Sequence, residues 1–179
     1  MREKNIILIG MPGCGKSTVG VVLAKLIGYR FLDSDLVIQE KEDRLLSEII
    51  AQEGLDDFLK IENRINSEIT ARKTVIATGG SVIYGKEAMR HYGRTGIIVY
   101  IRLSYEKIKA RLGDLTKRGV AIRDGQTLRE LYDEREPIYE SYADITVNEE
   151  SMDIAQTAMA IRDGIRKLLS EDGNDNKQG

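Results

Sequence analysis

Residues Asn5 to Thr18, NIILIGMPGCGKST, constrain the fold more than any other stretch of the chain. The apolar run Asn5 to Ile9 reads as a short strand. The segment from Lys16 to Ile27 carries Val19, Val22, Leu23, Leu26 and Ile27 at helical spacing before Gly28 supplies a stop. Between them, Gly10, four residues and Gly15-Lys16-Ser17 fit the phosphate-cradling pattern G-x-x-x-x-G-K-[ST], in the strand, loop and helix context that the pattern requires.

The rest of the chain continues this alternation. Further strands are expected at Tyr29 to Leu32, Thr74 to Thr78, Gly96 to Leu103 and Asp144 to Val147. Between them lie helical stretches from Ser34 to Lys73, broken near Asp43 and Gly54, then Tyr105 to Leu112, Thr127 to Tyr142 and Ser151 to Leu169. The Gly- and charge-rich stretch 113–126 has no period and reads as a loop long enough to be functional. The polar tail 170–179 is expected to be disordered, so residues 1–169 form one domain. Strands separated by helices imply an α/β fold of three layers, a mainly parallel sheet with helices on both faces. Ligands of such sheets bind beyond the carboxyl ends of the strands. The segments just after the strands are therefore informative: the glycine loop, Asp33-Ser34-Asp35, Gly79-Gly80-Ser81 and an arginine-bearing loop converge on one edge.

With 41% hydrophobic and 31% charged residues, the chain of 179 residues is composed like an ordinary globular domain. A net charge of −2 argues against a surface built for a nucleic-acid backbone and favours a small anionic ligand in a local basic pocket. The single cysteine, Cys14, allows no internal disulfide and no cysteine-based zinc site. No apolar run approaches the roughly 20 residues of a membrane span, and the first residues lack the apolar region of a signal peptide. A cytoplasmic monomer without a membrane or nucleic-acid partner is the expectation.

The loop chemistry can be built from its parts. Backbone N–H groups of Gly13, Cys14, Gly15, Lys16, Ser17 and Thr18, aided by the positive end of the helix, would bind nucleotide phosphates. Lys16 would reach the β- and γ-phosphates and Ser17 would place its hydroxyl on Mg²⁺. No Asn-Lys-x-Asp run is present for guanine recognition. An ionised Asp35 facing a γ-phosphate suits a hydroxyl ligand or general base. The plainer reading of Asp33 and Ser34 is a helix cap, that of Gly79-Gly80 a turn, and that of Arg135 an i,i+4 ion pair in its charged helix. Lys16 and the helix N-terminus would lower the Cys14 thiol pKa, although a small space-filling role is the plainer one. His91 reads as a surface residue, and Tyr139 and Tyr142 as packing.

Taken together, GMPGCGKSTVG, the DSD after the second strand, ATGGS after the third and the late ERE-PIYESYAD resemble the shikimate kinase family, from about Asn5 to Val147. That resemblance implies a P-loop fold of the nucleoside-monophosphate-kinase type, a five-stranded parallel sheet with a mobile lid at about 113–126. It also implies transfer of phosphate from MgATP to the 3-hydroxyl of shikimate, a small anionic hydroxylated substrate. By position, Lys16 and Ser17 would serve ATP and Mg²⁺, and Asp33 would support the metal through water. Asp35 would grip the substrate hydroxyls and act as base, Gly79, Gly80 and Ser81 would face the substrate, and Arg135 would pair with its carboxylate. Arg118 is the expected lid arginine on ATP, with Arg123 second.

Three positions depart from the family pattern. Leu59, in Phe58-Leu59-Lys60, stands where the family has a second arginine for the carboxylate, a change worth about 1.5–3 kcal/mol of binding. Ser81 replaces a third glycine, with a side chain that would crowd the pocket or disfavour positive φ, and Arg118-Gly119-Val120-Ala121 replaces the usual lid sequence. These departures leave open another polyol or sugar acid as acceptor. A catalytically silent nucleotide-binding regulatory module is the reading of another class, against which the retention of Ser17, Asp33 and Asp35 counts.

Overall fold

A computed structural model describes residues 4–112 and 120–175. Its centre is β1 (Asn5–Ile9), all of whose residues are buried. β1 pairs in parallel with β3 (Thr74–Ala77) on one side, placing Ile7 opposite Ile76, and with β4 (Gly96–Arg102) on the other, placing Ile7 opposite Ile98. β2 (Arg30–Asp33) adds outside β3 and β5 (Ile145–Asn148) outside β4, giving the order β2-β3-β1-β4-β5 with every pair parallel. Because the chain moves from β1 to one side of the sheet and later crosses to the other, the carboxyl end of β1 lies at the point where the strand order reverses. That is where such sheets bind ligands.

Helix α1 (Lys16–Ile27) lays Val19, Leu23 and Ala24 on the sheet, while Leu26 turns 42% exposed. α8 (Ile154–Asp175) covers α1 through Ala158, Ile161 and Ile165 and runs on through residues expected to form a tail; Ile154, at its start, is exposed. No proline interrupts Ser170–Asp175, and a single glycine is tolerated in a helix at a cost of about 1 kcal/mol. The long helical stretch after β2 resolves into α2 (Ser34–Glu42), α3 (Leu46–Glu53) and α4 (Leu55–Glu68), broken where Asp43 takes φ 52 and Gly54 φ 82. Ile38, Ile49, Phe58 and Ile65 of these helices form a second apolar cluster, joined by Ala121 and flanked by Leu59.

α5 (Lys86–Thr95) and α6 (Tyr105–Leu112) flank β4 in sequence, and α7 (Leu128–Tyr142) precedes β5. Thr127 caps α7 by accepting from the Glu130 N–H at 3.2 Å, while Glu130 Oε2 accepts from the Thr127 N–H at 2.8 Å. His91 is not free on the surface of α5: it is half-buried, with Nε2 2.8 Å from the Ile69 carbonyl. Among the described residues no helix is long and apolar enough to cross a membrane.

Candidate active site

Beyond the carboxyl ends of β1, β2 and β3 lies a cavity of about 390 Å³, with Lys16, Ser17, Asp35, Glu62, Gly80 and Arg135 in its wall. The phosphate loop supplies one side. Gly15 starts α1 at φ 92, a left-handed conformation that suits glycine, and its carbonyl already accepts from Val19 N–H at 2.9 Å. The Lys16 ammonium is buried and donates to the carbonyls of Gly10 at 2.7 Å and Met11 at 2.9 Å, which holds it against the loop. Ser17 and Thr18 are exposed at the head of the helix. Cys14 points the other way. Its side chain is fully buried, and burial pushes the thiol up despite Lys16 nearby, the reverse of the lowering expected from its charged neighbours. What Cys14 can offer the loop's ligand is its backbone.

At the end of β2, Asp33 performs two tasks. Its Oδ1 accepts from the Asp35 N–H at 3.0 Å and caps α2, and its Oδ2 accepts from the Ser17 hydroxyl at 2.7 Å. The cap and the link to the phosphate loop are therefore one arrangement. Asp35 is half-buried, and its Oδ1 is buried without a hydrogen-bond partner among the described residues. Burial first, and the Asp33 charge second, push its carboxyl up to about 6 against the pull of Lys16.

After β3 the backbone passes between side chains. A Cβ on Gly79 would sit 2.6 Å from Glu62 Oε1 and 2.7 Å from Asp35 Oδ1, and one on Gly80 would sit 2.7 Å from Pro12 Cδ. Gly79 is thus required by close approach, not merely by a turn. Gly79→Ala is expected to cost about 1–3 kcal/mol of stability by forcing the two carboxyls apart. Equal denaturant midpoints for variant and parent would show that the gap is not needed. The side chain of Ser81 brings no strain, since its φ of −90 and ψ of −7 are ordinary for any residue. The Gly80 carbonyl accepts from the Tyr139 hydroxyl at 2.5 Å, so Tyr139, stacked on Tyr100, fixes this turn as well as packing.

The far wall is Arg135, 1% exposed, and its i+4 neighbour Tyr139 is no carboxylate, so the ion pair expected along its helix is not made among the described residues. Its Nε donates to the Tyr84 hydroxyl at 3.3 Å and its Nη2 to the Ala121 carbonyl at 2.5 Å. Nη1, which a Cβ on Gly80 would approach to 3.0 Å, is buried with no partner among the described residues. Leu59 does not line this cavity. It borders a separate one of about 130 Å³ together with Tyr84, Arg123 and Arg135, and Arg123 is exposed there. Arg118 lies outside the described residues.

The match to known families agrees with this geometry. The shikimate kinase family model matches residues 12–166. The chain belongs to the shikimate kinase family. A shikimate kinase of Vibrio cholerae is 35% identical over 172 residues, covering 94% of this chain and 97% of that one. One of Pasteurella multocida is 38% identical over 170 residues, covering 93% and 97%. Among solved structures, the shikimate kinase from Acinetobacter baumannii in complex with shikimate superposes with a TM-score of 0.84 at 31% identity, over 95% of both chains.

Membership of the shikimate kinase family makes this chain a small-molecule kinase on a P-loop α/β fold, with ATP as the phosphate donor of its family. Three features of the site are not among the residues singled out from the sequence. Glu62 is buried in the cavity wall, and its signal was available: it shares the stripe of Phe58 and Ile65 on α4 at i, i+4 and i+7. Burial and the facing Asp35 push its carboxyl up to about 8, opposed by Ser81, Arg135 and Lys16. Arg111 spans the rim of the phosphate loop, donating to both carboxylate oxygens of the buried Glu149 at 3.2 and 3.3 Å and to the Gly13 carbonyl at 3.4 Å. Tyr84 touches Arg135 across 51 residues of sequence, a contact that no local pattern announces.

Proposed function

We propose that this chain moves the γ-phosphoryl group of ATP to the 3-hydroxyl of shikimate, through the residues gathered around the larger cavity. The observation that carries the reading is the Nη1 edge of the buried Arg135, without a partner among the described residues, in a cavity that Asp35 also lines and that begins at the phosphate loop. A buried arginine with a free N–H edge is suited to a planar carboxylate. The Acinetobacter relative, solved with shikimate, supports the choice of acid.

In this reading the backbone of Gly13, Cys14, Gly15 and Thr18 and the ammonium of Lys16 hold the ATP phosphates. Ser17 and Asp33 fit Mg²⁺, a cation that takes few protein oxygens and keeps its remaining positions for water and phosphate. When bound, the ion would neutralise charge on the transferring phosphate. Asp35 accepts the hydrogen bond of the attacking hydroxyl and takes its proton, and a carboxyl raised to about 6 is a better base near neutrality than an ordinary one. Backbone N–H groups of Gly79, Gly80 and Ser81 orient the ring hydroxyls, and Arg135 fixes the carboxylate. Arg118, in a lid at about 113–126 of a single kinase domain spanning 1–169, closes over the phosphates and excludes water.

The test is a coupled ADP-release assay with MgATP and shikimate, with quinate and gluconate alongside. Saturable turnover with shikimate and little with the others is the expected outcome. Background ATPase alone with shikimate would remove it as acceptor, and turnover with gluconate instead would assign Leu59 to a changed acceptor class.

A further inference from the structure

The free edge of Arg135 exists because the rest of its guanidinium is occupied elsewhere. The Tyr84 hydroxyl accepts from Nε at 3.3 Å, and it can do so in a fixed direction because its own proton is donated to Glu134 Oε1 at 2.5 Å. Glu134 Oε2 is in turn held by Gln126 Nε2 at 2.8 Å. The Tyr84 ring also lies beneath the guanidinium, 5.3 Å from its carbon to the ring centroid. The hydrogen bond to Tyr84 holds the Glu134 carboxyl below the usual range, and burial pushes the Tyr84 phenol up. The proton therefore stays on the tyrosine and the relay keeps one polarity. Tyr84 itself is absent from the wall of the larger cavity, in which Arg135 is the one arginine among the described residues.

We propose that Tyr84, braced by Glu134, is a positioning residue for the acceptor: it sets the roll of the Arg135 guanidinium so that Nη1 faces Gly80 and meets the acceptor's carboxylate. This rests on the reading that Arg135 takes that carboxylate. With Leu59 at the neighbouring wall in place of a second arginine, the alignment of this one guanidinium decides how well a charged acid is held. Neither Tyr84 nor Glu134 lines the larger cavity, so their effect reaches the reaction through Arg135.

Tyr84→Phe keeps the ring and removes the hydroxyl. Its expected effect is a rise of about five- to tenfold in KM for shikimate, the worth of one hydrogen bond in a charged network, with kcat and the KM for ATP within about twofold. The deciding comparison sets shikimate against its uncharged carboxamide. The parent protein should prefer the carboxylate, and Tyr84→Phe should erode that preference while leaving the carboxamide's KM unchanged. Glu134→Ala, which alters a helix position beside Gln126, should reproduce the carboxylate-specific loss, and Glu134→Gln, which still accepts from Tyr84, should restore most of it. An equal loss on both acceptors would overturn the positioning role while leaving the Arg135 reading intact. A parent protein indifferent to the carboxylate would overturn the Arg135 reading, and the role of Tyr84 with it.

Discussion

Asp35→Asn is expected to lower kcat by about 10²- to 10⁴-fold, the range of a lost general base, while ATP affinity stays within about twofold. The substitution is nearly isosteric, and the start of α2 survives because its cap is Asp33 accepting from the backbone N–H of residue 35. Nucleotide binding is spared because Lys16 and Ser17 make their contacts elsewhere. The same variant should be more stable. A carboxyl at about 6 in the folded chain, against 3.8 in the ordinary state, stabilises fully below pH 3.8. That contribution is lost as pH rises through 6, a loss of about 3 kcal/mol by neutrality. Single-turnover rates and urea midpoints at pH 7 check both halves. Full activity would remove Asp35 from the reaction, and an unchanged midpoint would show that its carboxylate is not strained in place.

Glu62→Gln isolates the stability effect on the other side of Gly79. The Glu62 carboxyl is raised from 4.5 to about 8, by burial first and by Asp35 second. Its contribution to folding is fully present below pH 4.5 and disappears as pH climbs through 8. The unfolded chain binds fewer protons than the folded one across that window, so stability falls with pH. Glutamine removes the dependence. The variant should match the parent near pH 4.5, exceed it by about 3 kcal/mol at pH 7, and gain little more beyond pH 8. Denaturant midpoints measured from pH 5 to 8.5 should therefore diverge. Parallel curves would mean that Glu62 is stably ionised in the fold.

The parts of this site that can be read from the sequence are those whose chemistry is carried by the backbone or by fixed spacing. The phosphate loop needs glycine and a lysine at set positions, and strand β1 needs an unbroken apolar run, so both stand out in one dimension. The breaks at Asp43 and Gly54 are visible for the same reason, since both residue types favour left-handed turns. Electrostatics is less legible. The charged neighbours of Cys14 are apparent in the sequence, whereas its burial is not, and burial decides the direction of the thiol's shift. Glu62 looks like a solvated helix residue until α4 is turned to show it level with Phe58 and Ile65. At Asp33 the cap and the link to Ser17 are compatible rather than rival roles, because a carboxylate has two oxygens and each has its own partner. Position alone places Leu59 at the acceptor wall, and the rotation of α4 carries it instead into the apolar cluster around Phe58.

The Ala121 methyl sits in that same cluster with Ile38, Ile49 and Phe58, while its carbonyl is gripped by Arg135. Ala121, one described residue of the stretch read as the nucleotide lid, thus joins that cluster to the wall that faces the acid. A mooring of this kind ties the two ligands into one thermodynamic cycle. Whatever factor shikimate contributes to ATP affinity, ATP must return to shikimate. Synergy between the two substrates would then originate at a single alanine, a residue with no functional group of its own to give.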